Sequence, residues 1–336
     1  MTRELNQEAA RVRKPMPYEQ RGITSSRLAF GCMKLSGGPK ALPISEETIL
    51  QTERAIDAAL EAGITMFDHA DAYAKGQAEA VFGEALRRRP QLREQITIQT
   101  KCGYRVEEGK AKQYDFSSPH IVAAVDRSLK RLGVERLDVL LLHRPDPLME
   151  PEDIAEAFDQ LRIAGKVAHF GVSNVGAEQM RFLQRYLPVP LVVNQLDLSL
   201  GKLDWLDSGI LMNRTIAKTV RFPEGTLEYC RAENIQLQAW GSLAQGRFSG
   251  RVMENVTEAE RQTTELVGRM ASEKETTPES IILGWLMKHP ARIQPVTGTL
   301  NPERILACAD AARQAELMTR DEWYALYQSS RGEVIP

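Results

Sequence analysis

The sequence predicts one α/β domain folded as a (β/α)8 TIM barrel. Eight short apolar segments recur along the 336 residues, and each is followed by a stretch with helical periodicity. The apolar segments are hydrophobic at successive positions, which is typical of parallel strands buried on both faces. No composition break or Pro/Gly-rich linker divides the eight units, so we expect them to close into one barrel. A doubly wound sheet is the alternative, but it usually has a GxGxxG after its first strand, and this chain has none.

The eight units follow one another from near the N-terminus to the C-terminus. The strands are predicted at residues 28–33, 64–68, 96–101, 137–143, 167–173, 191–195, 235–240 and 293–298. The helices that follow them are predicted at residues 45–63, 77–89, 118–133, 151–165, 176–187, 224–234, 257–274 and 302–312. Residues 1–20 are mostly polar, so we expect a loosely held tail before a barrel that occupies residues 21–336.

Composition excludes several classes of function. The formal net charge is -2, so no basic surplus points to nucleic acid or to an anionic membrane. The first residues are charged and lack an apolar h-region, and no apolar run reaches the roughly 20 residues of a membrane helix. The four cysteines, Cys32, Cys102, Cys230 and Cys308, are far apart, which favours reduced thiols in a cytoplasmic protein. Nothing in the sequence predicts the oligomeric state.

Polar and small residues follow each predicted strand. In (β/α)8 barrels the catalytic groups lie at the C-terminal ends of the strands, so these endings should meet at one rim. In chain order they are Gly31, Cys32 and Met33; Asp68, His69, Asp71 and Tyr73; Lys101; His143 and Arg144; Ser173 and Asn174; Asn194 and Gln195; Trp240, Gly241 and Ser242; Gly298 and Thr299.

Four of these residues suggest a reaction. A free tyrosine has a pKa of roughly 10, and a nearby ammonium lowers it by favouring the phenolate. Lys101 could do this to Tyr73 if Asp68 kept the ammonium charged and aimed, while His143 added a hydrogen bond to the same substrate oxygen. The set would protonate a carbonyl oxygen while a hydride arrives at carbon. Each residue alone also has an ordinary structural interpretation, so the hypothesis depends on all four meeting.

Five motifs at the strand ends resemble the aldo-keto reductase family. They are FDHADAY (67–73), TKCG (100–103), DVLLLHRPDP (138–147), GKVAHFGVSN (165–174) and VVNQ (192–195), and they stand in register from the second strand to the sixth. The resemblance covers about residue 24 to the C-terminus. Within the family, the chain looks most like the bacterial YdhF-like oxidoreductase branch. It implies an NADPH-dependent reductase of aldehydes and ketones on a (β/α)8 barrel.

The resemblance also implies a role for each matching residue. Tyr73 would be the proton donor, Lys101 and Asp68 its activating pair, and His143 the group that orients the carbonyl. The implied cofactor contacts are Ser173, Asn174 and Gln195 at the nicotinamide carboxamide, Trp240 stacked on the nicotinamide, and Gly241, Ser242 and Leu243 near the pyrophosphate. Gly31, Cys32, Met33 and Asp68 are further expected cofactor-binding residues. No metal is expected, because the five histidines lack any metal-ligand spacing.

The chain departs from the family pattern in two places. His69 stands where the family commonly has Thr. After the last strand, the cluster that would hold the adenosine 2′-phosphate contains Gly298, Thr299 and Arg304, but neither the usual lysine nor the acid-amide pair. One hydroxyl and one arginine can still bind a phosphate, so NADPH is expected in preference to NADH.

The substrate and the longest loop are the least determined features. A small-molecule carbonyl compound is expected, lined by Tyr73, His143, Arg144, Trp205 and Met212, with Met33 as a further candidate. Residues 198–222 form a long connection that we expect to cover cofactor or substrate, with a plain surface helix as the alternative.

Two other functions remain open at the level of sequence. A non-catalytic module that binds and senses NADPH would keep the cofactor site, as potassium-channel β-subunits do, and turnover would distinguish it. A metal-dependent barrel hydrolase could use His69 and Asp71 as ligands, but the chain has no HxH motif and the Tyr–Lys pair argues against it.

Overall fold

The protein is a closed barrel of eight parallel strands. A computed structural model describes residues 14–105, 111–211 and 220–336. The barrel strands are β1 Ala29–Gly31, β2 Met66–Asp68, β3 Thr97–Cys102, β4 Leu137–Leu142, β5 Val167–Ser173, β6 Leu191–Asp197, β7 Gln236–Trp240 and β8 Gln294–Thr297. Each strand pairs in parallel with the next, and β8 pairs with β1 to close the barrel. The predicted fold and all eight predicted strands are confirmed, and the doubly wound sheet is excluded.

Helices surround the barrel. They are α1 Pro17–Gln20, α2 Glu46–Glu61, α3 Gln77–Arg88, α4 Ser118–Leu132, α5 Pro151–Ile163, α6 Ala177–Gln184, α7 Asp204–Ile210, α8 Thr226–Ala232, α9 Glu258–Glu273, α10 Pro278–Lys288, α11 Pro302–Leu306, α12 Ala311–Leu317 and α13 Arg320–Arg331. None of the helices in the described ranges is long and apolar enough to cross a membrane.

The predicted helix at 302–312 is divided into α11 and α12. The carbonyl oxygen of Ala307 accepts hydrogen bonds from the side-chain hydroxyls of Thr277 and Ser280 at the start of α10. These hydroxyls draw the carbonyl out of the helical hydrogen-bond ladder, and the chain turns before α12 begins. The periodic pattern could not show this break because its cause lies on another helix.

Sequence periodicity did not predict α10. Its residues from Ser280 to Met287 are all buried, so the helix is apolar all round and has no polar face. An amphipathic pattern is the usual sign of a surface helix, and a fully buried helix lacks it.

The N-terminal segment closes the bottom of the barrel. Residues 1–13 lie outside the described residues, but Tyr18 is fully buried and packs inside the barrel with Ala29, Met66 and Val139. The side-chain amide of Asn234, just before β7, donates to the Gln20 side chain at 3.0 Å. The predicted tail therefore extends too far, because part of it is core.

Glycine allows α3 and α4 to approach closely. A Cβ atom on Gly83 of α3 would lie 2.1 Å from the carbonyl oxygen of Arg131 in α4. Such a distance cannot be relieved by a side-chain rotation, because the obstacle is backbone. The contact keeps Glu79 of α3 beside Arg131, whose Nε donates to the Glu79 carboxylate at 2.7 Å.

Gly83→Ala should lower the free energy of unfolding by roughly 1–3 kcal/mol because the two helices must separate. Gly268 in α9 is the matched control, since a Cβ there meets nothing within 4 Å. Gly268→Ala should raise the free energy of unfolding by about 0.5–1 kcal/mol by restricting the unfolded chain. Urea unfolding of both variants measures the difference, and equal effects would contradict the close-contact argument.

Candidate active site

Lys101 and Asp68 form a buried ion pair at the C-terminal ends of β3 and β2. The Lys101 Nζ lies 2.8 and 2.7 Å from the two Asp68 carboxylate oxygens and 2.8 Å from the carbonyl oxygen of His69. Lys101 is 0% exposed and Asp68 2%. Burial alone would lower the pKa of Lys101, but the Asp68 carboxylate and the Tyr73 hydroxyl more than offset it and the pKa is raised. The ammonium is therefore charged and fixed in direction.

Tyr73 lies directly beside this pair. After β2 the chain turns so that the Tyr73 hydroxyl comes 3.3 Å from Lys101 Nζ, which donates to it. The next two residues, Ala74 and Lys75, have φ values of 48° and 55°. Left-handed conformations are unfavourable for residues with a Cβ, and they concentrate at functional sites where the surroundings enforce them. The turn ends at Gly76, and α3 begins immediately after it.

The pKa of Tyr73 does not move in the expected direction. Burial raises the pKa of Tyr73; the Lys101 charge lowers it, and the Asp68 carboxylate raises it again, with a net increase. Lys101 acts on the pKa in the expected direction, but the expected net lowering does not occur, because desolvation is the larger effect. Tyr73 therefore keeps its proton at neutral pH, and the Lys101 ammonium lies where it could stabilise a phenolate.

His143 also lies beside Tyr73, and its imidazole is neutral. The two rings meet edge to face with centroids 5.9 Å apart. Burial, and then the charges of Lys101, Arg144 and Lys112, lower the pKa of His143 well below its usual value. Its Nδ1 is buried and has no hydrogen-bond partner among the described residues. A neutral imidazole can donate one hydrogen bond to a carbonyl oxygen without competing as an acid.

A short hairpin forms a wall of the site that the sequence analysis missed. Tyr104–Arg105 pairs antiparallel with Gln113–Tyr114. The Tyr104 ring lies 4.8 Å from the His143 ring, and Lys112 Nζ stands 3.6 Å from the Tyr104 centroid. The only available signal was the length of the connection between strand 3 and its helix, since long loops often carry function.

The residues expected at the nicotinamide carboxamide are brought together. The Ser173 hydroxyl donates to the carbonyl oxygen of Gln195 at 2.9 Å. The Asn174 side-chain amide donates to Ser173 Oγ at 2.8 Å and to the His143 carbonyl at 3.2 Å. The Trp240 indole N–H in turn donates to Asn174 Oδ1 at 3.1 Å. These contacts connect four strand ends into one rigid rim.

Gln195 has one amide atom left for a ligand. Its Nε2 donates into the barrel, to Gln238 Oε1 at 3.0 Å. Its Oε1 accepts no hydrogen bond from the described residues, so it can accept one from an amide N–H of a bound group. The half-buried Trp240 adds a flat aromatic surface at the end of β7.

The residues expected at the phosphates lie at the ends of β7 and β8. Gly241 has φ 67°, and the Ser242 hydroxyl donates to the Val296 carbonyl at 2.8 Å, which fixes the loop that continues to Leu243. Beyond Gly298, the Thr299 hydroxyl accepts from the Asn301 backbone N–H. Arg304 is exposed in α11 and has no carboxylate partner within the described part of the chain. Its guanidinium is therefore available to an anion.

The C-terminal end of β1 contributes Gly31, which has no side chain, and Met33, which is exposed. A Cβ on Gly31 would lie 2.8 Å from the carbonyl oxygen of Thr297, so β1 and β8 can meet only because Gly31 has no side chain. Cys32 is buried, and burial raises the pKa of its thiol well above the usual value. Met33 is 47% exposed at the mouth. All four cysteines are free and buried, as expected of reduced thiols.

Trp205, one of the residues expected to line the substrate, lies in the core instead. Trp205 is 2% exposed and packs edge-on against Trp285 and His289, at 5.7 and 5.2 Å. That prediction is wrong because α7 lies against α10 and makes Trp205 part of the core. Met212 lies outside the described residues. Arg144, beside His143, is half-buried and remains a candidate.

The loop at 198–222 is described except for residues 212–219. Asp207 of α7 accepts a hydrogen bond from the Tyr327 hydroxyl and pairs with Arg331 of α13. The described part of the loop is therefore held against the outer helices.

His69 is buried and Asp71 is half-buried, and neither belongs to a cluster of described residues that could hold a metal ion. The His69 ring packs edge-on to Phe82 at 4.5 Å, and burial followed by the Lys101 charge lowers the pKa of His69 to about 3. Burial, and then the Glu79 charge, raise the pKa of Asp71 to about 7. Within the described ranges, no three His, Cys, Asp or Glu side chains are grouped so that they could hold a metal ion.

Comparison with known proteins gives the family. A sequence model of the Aldo/keto reductase family matches residues 27–328. The uncharacterized oxidoreductase YcsN of Bacillus subtilis is 37% identical over 84% of this chain and 88% of its own length. The 6-dehydroglucose reductase of Agrobacterium fabrum is 34% identical over 92% of this chain and 96% of its own. The oxidoreductase YdhF of Escherichia coli is 32% identical over 84% and 88%.

Solved structures agree on the architecture. The glycerol dehydrogenase of Gluconobacter oxydans matches with a TM-score of 0.71 and 23% identity, covering 92% of this chain and 93% of that one. At this identity the likeness shows the fold alone. Together with the family match and the relatives above 30% identity, it confirms the resemblance seen in the strand-end motifs: the chain is an oxidoreductase of the aldo/keto reductase family.

Proposed function

We propose that this chain reduces aldehydes or ketones to alcohols with NADPH and that Tyr73 is the general acid. The observation that carries the proposal is the buried, charged Lys101 held by Asp68 and 3.3 Å from the Tyr73 hydroxyl. An ammonium in this position stabilises the phenolate that forms when Tyr73 gives up its proton. Such preorganised charge is usually the largest contribution to catalysis in a water-poor site.

The rim residues fit a nicotinamide dinucleotide. Gln195 Oε1, Ser173 and Asn174 would hold the carboxamide, Trp240 would stack on the ring, and Arg304 would pair with the 2′-phosphate. The backbone of Gly241, Ser242 and Leu243, with Gly298 and Thr299, would face the phosphates. When bound, the cofactor supplies the hydride.

The protein supplies the proton and the orientation. The substrate oxygen would lie between the Tyr73 hydroxyl and the neutral His143 ring, which donates a hydrogen bond to it. As carbon receives the hydride, negative charge develops on this oxygen and Tyr73 protonates it. Lys101 then holds the resulting phenolate until it is reprotonated.

The relatives suggest a substrate to test first. The 6-dehydroglucose reductases of Agrobacterium fabrum and Novosphingobium aromaticivorans are 34% and 30% identical to this chain. We therefore propose a sugar-derived aldehyde, with 6-dehydroglucose as the test compound beside a reactive aromatic aldehyde. Binding of NADPH without turnover of either compound would instead support the sensing module.

Tyr73→Phe should reduce the rate of carbonyl reduction by roughly 10²–10⁴-fold, because the proton donor is lost while the ring remains. Loss of NADPH absorbance measures the rate, and quenching of tryptophan fluorescence measures NADPH binding, which should stay near wild type. Tyr104→Phe, in the wall of the same site, is the matched control and should keep most of the activity. Full activity of Tyr73→Phe would remove Tyr73 from the mechanism.

Arg304→Ala should weaken NADPH binding about 10–100-fold and NADH binding much less, because only NADPH carries the phosphate that pairs with the guanidinium. Dissociation constants for both cofactors give the comparison. Arg162→Ala is the control, since Arg162 is exposed on α5, on another part of the barrel. Equal losses for NADPH and NADH would mean that Arg304 does not recognise the 2′-phosphate.

The value of kcat/KM for reduction should stay constant from about pH 6 to about pH 9 if Tyr73 and His143 set it. The reason is that the pKa of Tyr73 is raised above its usual value, so it stays protonated, and that of His143 is lowered, so it stays neutral. A titration near neutral pH that disappears in Asp71→Asn would assign the pH dependence to Asp71 instead, whose pKa is about 7.

A further inference from the structure

A chain of hydrogen-bonded side-chain amides crosses the inside of the barrel beneath the candidate active site. Gln99 Nε2 donates to Asp68 Oδ1 at 2.6 Å and to Gln238 Oε1 at 2.8 Å. Gln238 Nε2 donates to Gln294 Oε1 at 2.8 Å, and Gln294 Nε2 donates to the Ser26 carbonyl at 2.6 Å. The three glutamines are 0% exposed. Barrel interiors are usually filled by branched apolar side chains, so these amides need a reason to be there.

The direction of every bond in this chain follows from its two ends. A carboxylate and a backbone carbonyl can only accept, so Asp68 must face the Gln99 amide nitrogen and Ser26 must face that of Gln294. Gln99 Oε1 is then left facing the barrel floor, where the Tyr18 hydroxyl donates to it at 2.9 Å. Tyr18 therefore supports the orientation in which Gln99 donates to Asp68, because it pairs with the amide oxygen that this orientation leaves at the floor.

The orientation of the Gln99 side chain matters because it affects the hydrogen bonds that the Lys101 ammonium can form. Its ammonium has three hydrogens but four acceptors within hydrogen-bond distance: two Asp68 oxygens, the His69 carbonyl and the Tyr73 hydroxyl. Gln99 Nε2 donates to Asp68 Oδ1 at 2.6 Å and so restrains the plane of the carboxylate. With the plane held, one Lys101 hydrogen stays directed at Tyr73; with the plane free, Asp68 can draw that hydrogen away.

We propose that Gln99 is a positioning residue for carbonyl reduction and that Tyr18, from the N-terminal segment, acts on the reaction through Gln99. The inference rests on the proposed function, because it requires Tyr73 to be the acid that Lys101 serves. Neither residue touches the substrate. Their effect is on the rate of the chemical step rather than on binding.

Gln99→Met should lower kcat and the single-turnover rate of hydride transfer roughly 10-fold, as expected for loss of a hydrogen bond to a charged group. The KM for the aldehyde and the NADPH dissociation constant should stay within about twofold, because the binding surfaces are unchanged. Gln236→Met is the matched control. Gln236 is also 0% exposed, but its amide donates only to the Leu237 and Arg292 carbonyls at the barrel floor. Gln236→Met should change the midpoint temperature of thermal unfolding without changing kcat.

Tyr18→Phe tests the same path if Gln99→Met does not fold, since it removes only a hydroxyl. It should lower kcat several-fold, in the direction of Gln99→Met. The double variant should be no slower than Gln99→Met alone, because Tyr18 has no path to Asp68 once the amide is gone. Multiplicative losses would show that Tyr18 acts elsewhere and would overturn that part of the proposal.

The outcomes separate this inference from the proposed function. Wild-type kcat in Gln99→Met and Tyr18→Phe, together with an inactive Tyr73→Phe, would overturn the positioning role and leave the proposed function standing. Full activity of Tyr73→Phe would overturn the proposed function and the inference that rests on it. A lower kcat in Gln236→Met of the same size as in Gln99→Met would mean that any buried glutamine matters equally, which also overturns the positioning role.

Discussion

The ion pair between Lys101 and Asp68 is the interaction on which the site depends. Removing either partner would leave an uncompensated buried charge, which costs about 3–5 kcal/mol in comparable cases. The strands make the pair possible: β2 and β3 are paired so that Asp68 lies opposite Gln99, two residues before Lys101. Successive residues of a strand face opposite sides, so Gln99 and Lys101 both point toward Asp68.

The same burial sets the protonation of both groups that would meet the substrate oxygen. Burial raises the pKa of Tyr73 and lowers that of His143, since in each case it opposes the charged form. Lys101 adds to the effect on His143 by repelling a second positive charge. Burial and the Lys101 charge together keep the histidine neutral, and the same ammonium would stabilise the phenolate in the proposed reduction.

The sequence could predict only the features that depend on residues close together along the chain. Each strand and most helices follow from periodicity, and the strand ends follow from where the apolar runs stop. The amide chain could not be predicted, because Gln99 and Gln238 are 139 positions apart and only barrel closure brings them to 2.8 Å. Trp205 was misassigned for a related reason: its partner Trp285 lies on α10, a helix without an amphipathic pattern.

Residues on both faces of strand β3 form hydrogen bonds to other elements, and these bonds explain why the Lys101 side chain has a well-defined direction. On the inner side, Gln99 joins the amide chain that reaches Tyr18. On the outer side, the Thr100 hydroxyl donates to the buried Glu79 carboxylate at 2.6 Å, and Arg131 pairs with the same group. That outer contact requires α3 and α4 to pack as closely as Gly83 allows. Lys101 is thus directed at Tyr73 by groups on a helix pair, on the barrel floor and inside the barrel, none of which lies at the mouth where substrate would enter.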